Sequence, residues 1–147
     1  MLEPILMGTL LVAVCVLIHA LGTSYWVRYL FKRHLGADGR WRLKSDLWVL
    51  ISTAVVLLGL HLLEVMLWAL TYLWGVPAGQ LDSFEEAVYF SFVTFTTLGY
   101  GDVTLSSEWR LLSGIEAFIG ILLVGWTTAL LFAVLQRSLR GAGEGTK

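Results

Sequence analysis

Three long apolar stretches, at residues 5–30, 47–74 and 111–135, constrain this chain more than any other feature. A bilayer core is crossed by about 20 helical residues, and each stretch exceeds that length. Composition agrees: 57% of the 147 residues are hydrophobic and 14% are charged, against about 25% charged in an ordinary soluble domain. The mean hydropathy is +0.76. Disorder, a coiled coil and a nucleic-acid binder are excluded, and an all-α membrane protein is expected. A fourth apolar segment, 84–95, is too short to span and reads as a re-entrant helix.

Ala20 and Gly22 have the small-residue spacing of a signal-peptide cleavage site. The residues before the run carry no positive charge, however, and the run is long, so it is read as a span. The single cysteine, Cys15, lies in that run, so no intrachain disulfide or cysteine metal cluster is expected.

The basic residues set the orientation. Arg28, Lys32, Arg33, Arg40, Arg42 and Lys44 lie between the first two spans, and Arg137, Arg140 and Lys147 follow the third; only Arg110 is left over. Positive charge marks the cytoplasmic side. The N-terminus then faces outward, the C-terminus is cytoplasmic, and the short helix enters from the outside. Asp82, Glu85, Glu86, Asp102 and Glu108 cluster at that outer mouth, where they would concentrate cations. Tyr25, Trp26, Trp41, Trp48, Trp68, Tyr72, Trp74 and Trp109 flank the spans and are expected to anchor them at the interfaces. The expected organisation is a first helix at 1–30, a basic cytoplasmic loop at 31–46, a second helix at 47–74, a short helix at 83–95, a third span at 110–136 and a disordered tail at 137–147.

Between the short helix and the last span runs Thr96-Thr97-Leu98-Gly99-Tyr100-Gly101-Asp102. Gly99 and Gly101 occupy alternate positions, where positive φ comes cheaply to glycine. A chain with φ alternating in sign can point successive carbonyls the same way. Ser83-Phe84-Glu85-Glu86 is a capping box that starts the short helix. That helix then ends near Thr96, with the negative end of its dipole beneath the glycine-rich segment.

Here the chain resembles the potassium-channel superfamily, whose selectivity filter reads T-x-G-Y-G followed by Asp, in its small bacterial pore-module form with one extra N-terminal helix. The resemblance implies a pore domain over 47–136, with its filter at 96–102, and a homotetramer in the cell (inner) membrane. K+ would be the permeant ion, held by the carbonyls of Thr97, Leu98, Gly99 and Tyr100 beside Gly101. No cofactor is implied, and no enzyme activity. Thr96, Asp102 and Tyr89 would brace the filter. Leu98 replaces the commoner Val or Ile. Val93 stands where some relatives carry a Glu that pairs with the filter Asp, which leaves the Tyr89 hydroxyl as a donor to Asp102.

The last span contains Gly120 and Gly125, each a candidate hinge or a site of close helix packing. The resemblance places Val124, Thr128 and Phe132 on the pore, and their spacing does put them on one face. Phe132 is the candidate hydrophobic gate.

Glu64 and Glu116 lie deep in spans, and His61 is one turn from Glu64. A charged group at mid-bilayer costs about 2.5–3.5 kcal/mol, so partners are expected. The two acids should lie at similar depth and meet behind the short helix. They would act as a polar brace, as a pH sensor, or with His19 as a metal site. The first span lacks the repeated arginines of a voltage sensor, and the residues after Leu135 are too few for a ligand-binding domain. The basic loop 28–44 is a candidate site for anionic lipid. The alternatives to a potassium channel are a weakly selective cation channel, a non-conducting accessory subunit and a membrane metalloenzyme. No H-E-x-x-H or comparable spacing supports the last.

Overall fold

A computed structural model describes residues 2–34, 46–77 and 79–144. Its elements are four helices: α1 (Leu2–His34), α2 (Asp46–Trp74), α3 (Phe84–Phe95) and α4 (Arg110–Glu144). No strand occurs among the described residues. Segments Leu2–Arg33, Leu47–Trp74 and Arg110–Arg137 are long and apolar enough to cross a membrane. The chain is thus all-α, with three candidate spans and one short helix.

The C-terminal ends of α1 and α4 differ from expectation. The first helix continues past 30 to His34, and α4 runs on from 136 to Glu144. Residues 137–144 of the expected disordered tail are therefore helical. No proline interrupts that stretch, and it continues a helix already nucleated, which costs far less than starting one. Most of the basic loop, and with it the candidate lipid site, falls outside the described residues.

Helix α1 buries a stripe of Leu11, Cys15, His19 and Thr23, a four-residue spacing that keeps one face inward. It packs on both α2 and α4. Small residues permit close approach: a Cβ at Gly8 would lie 2.7 Å from Ile115 Cδ1, and one at Gly22 would lie 2.6 Å from Leu60 Cδ2. Helix α3 nests between α2 and α4. Between these three helices lie Trp68, Tyr72, Phe90, Phe95, Ile119 and Leu123, all buried. The opposite faces carry Leu6, Leu10, Leu17, Leu58, Phe118 and Ile121 exposed, which suits a lipid or subunit environment rather than water.

The aromatic belt is only partly where the sequence puts it. Tyr25, Trp48 and Trp74 are exposed, but Trp68, Tyr72 and Trp109 are buried, and Trp41 lies outside the described residues. The correction for Tyr72 has a clear cause. Its hydroxyl donates to Glu116 Oε2 at 2.6 Å, and its ring packs edge-on against Phe90 with centroids 5.0 Å apart.

Candidate functional site

The site is assembled at the C-terminal end of α3. Ser83 caps its start, with the Ser83 hydroxyl accepting from the Glu86 backbone N–H at 3.1 Å. The Glu86 carboxylate reaches back one residue further than in the usual box and accepts from the Asp82 N–H at 2.5 Å. At the other end Thr96 is the C-cap, with φ −79° and ψ −2°, and its hydroxyl donates to the Phe92 carbonyl at 2.6 Å.

Beyond Thr96 the backbone alternates. Thr97, Gly99 and Gly101 have φ of 60°, 54° and 79°, while Leu98 and Tyr100 between them do not have positive φ. Gly99 and Gly101 adopt this conformation without strain. Thr97 is β-branched and is the only non-glycine residue with positive φ among those described; such a conformation costs about 1–3 kcal/mol and persists only where its surroundings enforce it. The enforcement is visible. The Thr97 N–H donates to the Thr94 carbonyl at 2.9 Å, and the Leu98 and Gly99 N–H groups both donate to the Val93 carbonyl, at 2.9 and 3.2 Å. These three bonds tie the start of the segment to the last turn of α3.

Residues 96–102 are exposed within the single chain. A cavity of about 360 Å³, lined by Tyr89, Val93, Thr97, Asp102 and Gly114 among others, opens between this segment, α3 and α4. The Tyr89 hydroxyl donates to Asp102 Oδ2 at 2.6 Å. This bond holds the Asp102 carboxyl below the usual aspartate range and raises the Tyr89 phenol above the usual tyrosine range. Neighbouring Phe90 turns the other way, into the core.

Gly120 sits directly beneath α3: a Cβ there would lie 2.0 Å from the Phe95 carbonyl oxygen and 2.9 Å from its carbon. The glycine has a packing role, since only a bare backbone fits. Gly125 has open space at the same position. Val124, Thr128 and Phe132 are exposed on α4, turned away from their own chain.

Glu64 and Glu116 do not meet. Each is fully buried with its own partners. Glu116 accepts from Tyr72 and, at 2.5 Å, from the Ser91 hydroxyl. Ser91 also lies 2.9 Å from the Val65 carbonyl, so α3 stands between the two acids. Glu64 and Val65 are adjacent, about 100° apart around α2, and therefore serve different neighbours. Glu64 is contacted by His19 Nδ1 at 2.9 Å and His61 Nδ1 at 3.0 Å. Thr127 closes the group on the far side of both rings. Ser91 and Thr127 carry no signal in the sequence, and Tyr72 reads there only as an interfacial anchor. Hydroxyls in spans ordinarily bond their own helix backbone, as Thr71 and Thr128 do here.

A family model described as "Ion channel" matches residues 45–137. The match covers α2, α3, the Thr96–Asp102 segment and most of α4, well over half of the chain, and the chain belongs to that ion-channel family. No curated protein and no solved structure matches it. Family membership and three helices long and apolar enough to cross a bilayer point to a membrane protein that passes ions.

Proposed function

We propose that this chain is the subunit of a homotetrameric, potassium-selective channel, with Thr96–Asp102 as its filter. The observation that carries the reading is the alternation of positive φ at Thr97, Gly99 and Gly101. It supports a column of carbonyls facing one way, and four such columns around an axis would give stacked four-oxygen rings. A potassium ion gives up its water only where such rings replace it. Thr97, Leu98, Gly99 and Tyr100 would supply the carbonyls, and the Thr97 hydroxyl would add the innermost ring. The exposure of this segment in one chain is what a subunit assembled around an axis requires.

The rest of the pore follows. The last turn of α3 points its negative dipole end at the cavity below the filter, where a cation waits. Val124, Thr128 and Phe132 would line that cavity, with Phe132 forming a hydrophobic constriction that closes by dewetting. Tyr89 and Asp102 brace the outer end of the filter. The basic chain segments lie in the cytoplasm and the acidic residues at the outer mouth of a cell membrane. Permeation is passive.

The test is potassium efflux from liposomes loaded with K+ and containing the purified protein. Ionophore-triggered proton uptake should report efflux that external Na+ does not support. Equal fluxes of both ions would favour the weakly selective channel, and no flux would favour an accessory subunit.

A further inference from the structure

The group around Glu64 stands apart from the conduction path proposed above. Its members come from three helices: His19 from α1, His61 and Glu64 from α2, and Thr127 from α4. All lie near the middle of their helices, at mid-bilayer depth if the helices span. The two imidazoles stack with centroids 5.2 Å apart and planes 28° from parallel. Both present Nδ1 to Glu64, one to each carboxylate oxygen. Both present Nε2 to the Thr127 hydroxyl, at 2.9 Å from His61 and 3.4 Å from His19.

Counting protons shows that the group, with both imidazoles neutral, is short of one cation, whether a proton or a metal ion. Four contacts join the four side chains, and each needs one proton. With Glu64 a carboxylate and both imidazoles neutral, the imidazoles bring two protons and Thr127 brings one. Both Nδ1 protons go to Glu64. Thr127 can then donate to only one Nε2, and the other, His19 at 3.4 Å, faces an oxygen without a proton. The carboxylate charge also stands uncompensated among apolar helices, where charge is costly.

We propose that His19, His61 and Glu64 bind a divalent transition-metal ion of the zinc class. Two imidazoles and one carboxylate are a common zinc set that leaves a fourth position open. Ligand atoms of the three residues all lie within 4.8 Å of one another. Tetrahedral zinc with bonds of about 2.0–2.1 Å places its donors about 3.3 Å apart, so a metal draws in the widest pair and slightly spreads the Glu64 contacts. With Nδ1 of each ring on the metal, each ring carries its proton on Nε2. Thr127 Oγ1 then accepts from both rings, which fills the contact that the metal-free count leaves open. A partner that orients both ligating imidazoles is the usual outer support of such a site. The ion would tie α1 and α2 to α4.

The test uses the full chain in detergent, tag removed, stripped with chelator and re-equilibrated with Zn2+ or Co2+. One Zn2+ per chain is expected. His19→Gln and Glu64→Gln should each weaken binding at least 100-fold, and Thr127→Val, which preserves all three ligands, about 10–100-fold. The wild-type Co2+ complex should show four-coordinate visible bands and no thiolate charge-transfer band. A thiolate band would implicate Cys15, one turn from His19, and overturn the ligand set. Wild-type protein that elutes normally and binds no metal overturns the site and leaves the group as a proton-holding hydrogen-bond ring. Undiminished binding in Thr127→Val together with either folded ligand variant also overturns it.

Discussion

Replacing Gly120 by alanine should damage this protein out of proportion to the single methyl group it adds. The added Cβ would lie 2.0 Å from the Phe95 carbonyl oxygen, 2.9 Å from its carbonyl carbon and 3.2 Å from its Cα. Ordinary contact needs more than 3 Å, so the α3 backbone or α4 must retreat by about 1.2 Å. The obstacle is backbone, not a side chain that can rotate away. Overpacking a closely fitted core costs about 1–3 kcal/mol, and a backbone clash belongs at the top of that range. About 3 kcal/mol is roughly a 100-fold loss in the folding equilibrium. The assay is SDS-driven unfolding in mixed micelles, followed by tryptophan fluorescence. Gly125→Ala is the control, because a Cβ there meets nothing within 4 Å; it should match the parent or exceed it by up to about 1 kcal/mol, the gain in helix propensity. Phe95 immediately precedes the Thr96 cap, so Gly120→Ala should also disturb the proposed filter. Equal SDS midpoints for Gly120→Ala, Gly125→Ala and the parent would refute the close packing of α4 on α3.

Four further outcomes follow from the same geometry. Tyr72→Phe leaves the buried Glu116 Oε2 without its 2.6 Å donor and should cost about 1–3 kcal/mol in the same SDS titration. Tyr89→Phe removes the donor to Asp102 and should shorten open-state lifetimes in single-channel records; unchanged lifetimes would remove the brace from the account. In the parent this brace should be insensitive to pH between about pH 5 and about pH 9, because the lowered Asp102 pKa means the bond is lost only as pH falls below the usual 3.8, and the raised Tyr89 pKa means it is lost only as pH rises above the usual 10.0. Thr97→Gly should relieve about 1 kcal/mol or more of backbone strain at φ 60° while lowering conductance through loss of the hydroxyl. A variant with the parent's conductance would show that the side chain takes no part in conduction.

The spans and the short helix were legible because apolar length and a capping box are local signals. Gly99 and Gly101 were legible as positive-φ positions for the same reason. Thr97 was not, since its residue type argues against φ of 60°; the conformation is imposed by the Thr94 and Val93 carbonyls, which only the folded helix end presents. Helical spacing gave the His61–Glu64 pair, but His19 and Thr127 come to it from other helices, and no spacing rule relates residues 45 or more positions apart. Trp68 and Tyr72 read as interfacial because Trp and Tyr often are; the buried carboxylate that draws Tyr72 inward lies 44 residues away. Depth along the helices brought Glu64 and Glu116 to a similar level, but depth carries no information about direction around the helix axis. The continuation of α4 past 136 is not legible, because Gly141 and Gly143 argue against helix locally and only the preceding turns, uninterrupted by proline, carry it through them.

The most direct test of the central claim is the reversal potential of single-channel current from the purified protein in a planar bilayer, with K+ on one side and Na+ on the other. The account predicts reversal close to the potassium equilibrium potential. Reversal near zero would contradict it, because carbonyl rings of the proposed kind would then be failing to distinguish the two ions.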